Sequence, residues 1–195
     1  MKAKRLLEKS IRFALIHFYL FISDGSIVGL RKSLRHITLF SPVLFRGLGK
    51  LLIKKNVIFG VTSDPKSFSC SYIDIRHKGS TISIGENCIF NNNLALISEG
   101  PGIFIGQRNL IGQNCTIMDS NFHALDVRQR GQTDPKPLAV IIHNDVFIGA
   151  NVTILKGVEI GSGSIIGAGS VLRTKFKVPM NSTVMGNPAK IIKQN

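Results

Sequence analysis

The chain has no tryptophan and only two tyrosines in 195 residues, so an aromatic belt of the kind that seats proteins at membrane interfaces is not expected. Its three cysteines are too few to staple a domain of this length. They fit a reducing compartment in which each thiol acts as a small apolar side chain. Acidic residues are scarce, 11 against 25 lysines and arginines, which leaves a net charge of +14. Proline is not raised, at 7, and no Gly-X-Y period accompanies the 19 glycines, which excludes collagen. A membrane-spanning run is also missing. The longest apolar stretch, IRFALIHFYLFI at residues 11–22, is interrupted by Arg12 and His17 and falls short of the ~20 residues a span needs. The SDGS that follows is a poor cleavage site for a secretory signal.

What remains is a foldable chain. With 44% hydrophobic and 18% charged residues it is not disordered, and its length suits one domain with a real core. The charge is unevenly placed. Residues 1–55 hold 12 basic and 2 acidic side chains, and residues 56–195 hold 13 and 9. No aromatic and basic residues interleave as in nucleic-acid binders, so no nucleic-acid partner is expected. A basic segment that also carries apolar stretches suits an anionic membrane surface, or a helix that packs on the main fold. Residues 1–55 are expected to be a basic, amphipathic, mostly helical segment.

The organising pattern is a repeat of six. From residue 140 the chain reads VIIHND, VFIGAN, VTILKG, VEIGSG, SIIGAG, SVLRTK, FKVPMN, STVMGN, with Ile142, Ile148, Ile154, Ile160, Ile166, Leu172, Val178 and Val184 at every third place of a hexad. The register recurs at Ile84, Phe90 and Leu96, and again at Ile105, Ile111 and Ile117. A period of six suits neither a helix nor a long strand. It suits short strands turned at regular corners, the aliphatic residue inward, and the first place of the hexad (Cys88, Cys115, Val146, Val152, Ser164, Ser170) inward as well. Glycine after the aliphatic residue would ease the backbone near each corner. Three hexads close one triangular coil, and successive coils stack at the ~4.8 Å strand spacing. Fourteen hexads give four to five coils, to which residues 56–81 would add one or two. Cys88 and Cys115 are then core residues; Cys70 lies outside the register.

This [LIV]-G-x4 repeat resembles the hexapeptide acyltransferase superfamily over roughly residues 56–193, most closely in VFIGANVTILKGVEIGSGSIIGAGSVL and the following MGNPAKIIK. The latter is similar to the segment that closes the coenzyme A site in maltose, galactoside and surface-polysaccharide O-acetyltransferases. The resemblance implies an all-β, left-handed parallel β-helix over residues 56–187, although ordinary parallel crossovers are right-handed. Residues 188–195 would form the closing tail. It also implies a homotrimer with sites between subunits, acetyl-CoA as donor and no metal. The enzyme is expected to be cytoplasmic, and the basic, apolar N-terminal segment adds the expectation of peripheral contact at the inner membrane face.

The repeat breaks once at length: nineteen extra residues separate Ile117 from Ile142. A long excursion from a rigid coil is where function concentrates. The loop at 118–139 holds His123, and acyl transfer to a hydroxyl needs a base active near neutral pH. Its D-x-x-F-H-x-x-D setting resembles the family's catalytic loop, which implies that His123 deprotonates the acceptor. Asp119, Asp126 and Glu99 are the acids that could orient it. By the same resemblance Asn91 and Glu99 contact the acceptor, and the backbone at Ala150 and Ala168 contacts the pantetheine arm. Thr174, Lys175, Lys190 and Lys193 would meet the coenzyme's phosphates. Here RTKFK is one residue longer than the family's pattern, so Arg173 is an alternative.

The expected reaction is O-acetylation of a sugar hydroxyl in surface polysaccharide synthesis, the acceptor lipid-linked. A small soluble acceptor (free sugar, amino sugar, antibiotic) is the alternative. Two rivals share the fold: a zinc carbonic anhydrase of the γ class, for which His77, His123 and His143 would be ligands, and a silent scaffold that needs no histidine loop.

Overall fold

The computed structural model describes residues 2–63 and 68–194, with side chains from residue 6 onward. The chain is mostly β and winds as a three-faced coil. Face I carries β1 (Ile37–Leu39), β4 (Val57–Phe59), β7 (Ile89–Phe90), β10 (Leu110–Ile111), β13 (Phe147–Ile148), β16 (Ile165–Ile166) and β19 (Ser182–Gly186). Face II carries β2 (Val43–Gly47), β5 (Ser71–Ile75), β8 (Ala95–Ser98), β11 (Thr116–Met118), β14 (Thr153–Ile154) and β17 (Val171–Leu172). Face III carries β3 (Lys50–Ile53), β6 (Thr81–Ile84), β9 (Ile103–Ile105), β12 (Val140–Ile142), β15 (Glu159–Ile160) and β18 (Lys177–Val178). Each strand pairs in parallel with the one three places on, giving six coils. The exception is β20 (Ala189–Gln194), which folds back antiparallel on β19.

The six-residue period sets this geometry. All fourteen aliphatic or aromatic third-place residues are buried, and so are Cys88, Cys115, Val146, Val152, Ser164 and Ser170 at the first place. Phe59 and Phe90 stack in the lower core with ring centroids 4.9 Å apart. Each buried thiol donates to a carbonyl of the next coil, Cys88 to Gly106 and Cys115 to Gly149, both at 3.1 Å. Burial pushes the Cys115 thiol up to about 11, so no thiolate forms near neutral pH. These cysteines are core, as their register predicts.

The corners are built differently from expectation. The residue that turns left-handed is the sixth of the hexad: Asn87, Asn93, Arg108, Asn114, Asp145, Asn151, Lys175 and Asn181 have φ between +55° and +65°, and Gly157, Gly163 and Gly169 take the same place. Asparagine, aspartate and glycine tolerate this region best. The fourth-place glycines serve close approach instead. A Cβ on Gly149 would lie 2.6 Å from the Ala168 nitrogen, and one on Gly112 2.7 Å from that of Ala150.

The coil starts lower than the hexads suggest. β1–β3 lie within residues 37–53, inside the segment expected to be mostly helical. Their buried residues Val43, Phe45, Leu51 and Ile53 alternate as strands do, but they do not continue the six-residue register, and one Leu48–Gly49 pair is all that marks their corners. Within described residues 2–55, helix is confined to α1 (Lys2–Phe21), α2 (Leu30–Ser33) and a 3-10 turn at Leu34–His36. Ile27 and Leu30 plug the base of the coil. The link after α1 is tied down where Ser23 Oγ accepts the Phe45 N–H and Asp24 accepts the Gly47 N–H. Among the described residues no helix is long and apolar enough to cross a membrane.

Candidate active site

The excursion leaves β11 and returns at β12, so it springs from the edge between faces II and III. Asp119 is its root. Wholly buried, its carboxylate accepts from the Ser98 hydroxyl (2.8 Å) and from the N–H groups of Glu99 (2.8 Å), Gly100 (3.1 Å) and Gly102 (2.8 Å). It thereby closes the turn of the coil below. All its acceptor capacity is spent there, so Asp119 does not orient His123. Asp126 does not either. It is exposed and caps a 3-10 turn at Val127–Gln129 by accepting the Arg128 N–H at 2.9 Å.

His123 is oriented by backbone. Its Nδ1 lies 2.9 Å from the Arg130 carbonyl oxygen. A carbonyl can only accept, so Nδ1 carries a proton, and in the neutral ring the lone pair is on Nε2. Sequence reasoning could not find this partner, because any residue has a carbonyl. The loop is pinned on both sides of the histidine. Asp134 accepts from the Asn121 N–H (2.8 Å), from Lys156 Nζ (2.5 Å) and from the Lys136 N–H (3.0 Å). Lys156 also donates to the Lys136 carbonyl at 2.9 Å. Burial pushes the Asp134 carboxyl up, but the Asn121, Lys156 and Lys136 donors outweigh it and hold it below the usual carboxylate range. Ala124 is the loop's buried apolar anchor.

Below the histidine, Glu99 sits at the same edge with its side chain only 8% exposed. It accepts from Ser120 Oγ at 2.6 Å, with Arg76 at 3.7 Å and His77 at 3.9 Å. One of its oxygens is thus tied to the loop stem, and the other faces the two cations. Above the histidine, Thr174 and Lys175 share a cavity of about 380 Å³ with Asn121, Leu125, Lys136, Leu138 and Lys156.

The remaining predicted residues lie elsewhere. Asn91, Ala150 and Ala168 follow β7, β13 and β16, on the edge between faces I and II. Lys190 and Lys193 are on β20, at the end of face I. A whole face separates these five from His123, so one chain does not bring the predicted set together. Within one chain the three histidines of the zinc rival, whose site would lie between subunits, do not converge. His143 lies at the edge between faces III and I and pairs with Glu159 at 3.0 Å. Among the described residues no three His, Cys, Asp or Glu side chains are grouped to hold a metal ion.

The bacterial transferase hexapeptide (six repeats) matches residues 139–174. The chain is a hexapeptide-repeat protein. Within hexapeptide-repeat proteins it is similar to galactoside O-acetyltransferase of Lactococcus lactis subsp. lactis, 37% identical over 115 residues that make up 58% of this chain and 53% of that one. It is likewise similar to galactoside O-acetyltransferase of Escherichia coli, 35% identical over 60% of this chain and 55% of the relative. The chain thus spans a little over half the length of these curated relatives. Among solved structures, the polysialic acid O-acetyltransferase OatWY superposes with a TM-score of 0.60 at 25% identity, over 82% of this chain and 68% of that one. A hexapeptide-repeat acetyltransferase of Vibrio cholerae, solved with acetyl coenzyme A, shares the fold with a TM-score of 0.54 at 23% identity, over 95% and 87% of the two chains.

Proposed function

We propose that this hexapeptide-repeat protein is an O-acetyltransferase that moves an acetyl group from acetyl-CoA to a sugar hydroxyl, with His123 as general base. The observation that carries this reading is the His123–Arg130 hydrogen bond, which assigns the acceptor nitrogen of the neutral ring to Nε2, on an exposed loop that is otherwise tightly anchored. In the proposed reaction Nε2 takes the acceptor's hydroxyl proton, and the oxygen attacks the thioester carbonyl. Backbone N–H groups hold the oxyanion of the tetrahedral intermediate. The intermediate collapses by breaking the C–S bond, and the imidazolium returns its proton to the departing thiolate. Thr174 and Lys175, which line the cavity beside the loop, are the residues we assign to the donor.

The split between the two edges supports a homotrimer of left-handed coils. A second copy would bring its Asn91, Ala150 and Ala168 edge to this copy's His123 edge. Face I offers a surface for such packing: Ile58, Ile89, Leu110, Phe147 and Ile165 stand in register on its outside, the last four exposed. On face III the corresponding column ends in Glu159 and Lys177.

The acceptor we favour is a lipid-linked surface glycan, handled by a cytoplasmic enzyme at the inner membrane face. The support is α1, where Leu6, Leu7, Ile11, Phe13, Phe18 and Phe21 are exposed on a helix of the strongly basic N-terminal segment. A small soluble acceptor is the alternative. Two measurements test the proposal. Acetyl-CoA is incubated with candidate glycans and followed by free-thiol release and product mass, and His123→Ala is expected to lower turnover by about 10²–10⁴ with the coil intact by circular dichroism. Unchanged turnover would defeat the mechanism. Flotation with anionic vesicles at low salt should carry the protein up; its failure would remove the lipid-linked acceptor.

A further inference from the structure

Phe122, the residue before His123, has φ +63°. It is the one aromatic among the left-handed residues and does not occupy a hexad corner. A bulky side chain in this region is strained and persists only where its surroundings hold it. Two groups do so here. Ser120 Oγ accepts the Phe122 N–H at 2.8 Å while donating to Glu99 at 2.6 Å. On the other side the Arg76 guanidinium lies over the Phe122 ring, 4.5 Å from its centroid. Arg76 comes from two coils below and is itself fixed by Asp74 at 3.0 Å, with Glu99 at 3.7 Å. A planar cation held by a buried carboxylate makes a fixed plate for the ring.

We propose that Arg76 is a positioning residue for the base: by clamping the Phe122 ring it holds the left-handed backbone that carries the His123 imidazole to the Arg130 carbonyl. This rests on the reading of His123 as the base, but the clamp itself is a statement about geometry. If the clamp is lost, Phe122 relaxes to negative φ, His123 swings, and the Nδ1–H bond to Arg130 opens. The imidazole then populates both tautomers, and only part of the protein presents a free Nε2.

The test reads the ring nitrogens of His123 by long-range ¹H–¹⁵N NMR, assigned against His123→Ala. The wild-type protein should show the Nδ1–H tautomer and Arg76→Ala a mixture of both. Arg76→Ala should also cut kcat for acetyl transfer tenfold or more while KM for acetyl-CoA stays within twofold. Glycine adopts positive φ without strain, so in a Phe122→Gly background Arg76→Ala should change neither the tautomer nor kcat. Arg76→Gln carries the same test if Arg76→Ala does not fold. A wild-type tautomer in Arg76→Ala, or an equal effect of that change with and without the Phe122 ring, overturns the proposal. Should His123→Ala retain full turnover while Arg76→Ala still mixes the tautomers, the clamp stands and the catalytic reading falls.

Discussion

Two edges of the prism obey opposite rules. After face I the fourth place of the hexad holds Gly112, Gly149 and Gly167 in three successive coils, with Asn91 below and Met185 above, and a Cβ on each glycine would meet the next coil at 2.6–2.9 Å. After face II the same place holds Asp74, Ile97, Met118, Leu155 and Arg173. The first edge is stacked backbone. The second is stacked side chains, and there the long loop, its histidine and its ionic anchors emerge. The coil's stability comes from many equivalent burials, whereas the loop's geometry comes from a few polar links that have no substitutes. A rigid repeat can thus carry a precise site on one edge if that edge gives up the tight spacing of the others.

Beyond His123 itself, the largest effect that would break this contrast is expected at Asp119. Asp119→Ala leaves three N–H groups and a hydroxyl buried without an acceptor, at a cost on the order of 3 kcal/mol or more. Urea unfolding should show it as a lowered midpoint. Next comes one substitution at each of the two edges, a methyl added at the first and a volume-conserving swap at the second. Gly149→Ala meets the Ala168 nitrogen and should cost about 1–3 kcal/mol, whereas Leu155→Met, at a place without that crowding, should stay under about 1 kcal/mol by the same assay.

Acid should act on the loop before the coil. Asp134 has its folded carboxyl below the usual range, so its contribution is complete above its unfolded value of about 3.9 and is lost as pH falls through the lower folded one. Proteolytic nicking within residues 125–133 should rise in that window while the coil keeps its circular dichroism. Lys156→Met should produce the same nicking at neutral pH. The smallest effect is expected at Asp126, whose carboxylate caps only an exposed turn. Asp126→Ala should cost at most about 1 kcal/mol and leave turnover within twofold; a large loss would restore it as a partner of His123.

The coil was legible because burial repeats. One aliphatic residue in six, counted along the chain, located every strand from β6 to β19 and put Cys88 and Cys115 inside. The sixth-place Asn, Asp and Gly carried a second readable signal, the left-handed corner, which attention to the fourth-place glycine obscured. β1–β3 were hidden because they keep no six-residue register with the later hexads: their corners run through Pro42 and a lone Leu48–Gly49 pair. In the loop, His123 stood out by type and setting, but its partner is a carbonyl and left no mark. Asp119 looked like a catalytic acid because spacing cannot reveal that four donors already occupy it. Arg76 and Phe122 are 46 residues apart and belong to no motif; only the stacking of coils makes them neighbours.

The glycine column after face I has one more consequence. With no Cβ at Gly112, Gly149 or Gly167, successive coils meet there at the closest approach a main chain allows. The rise from storey to storey on this side is therefore fixed by peptide geometry and not by the choice of side chain.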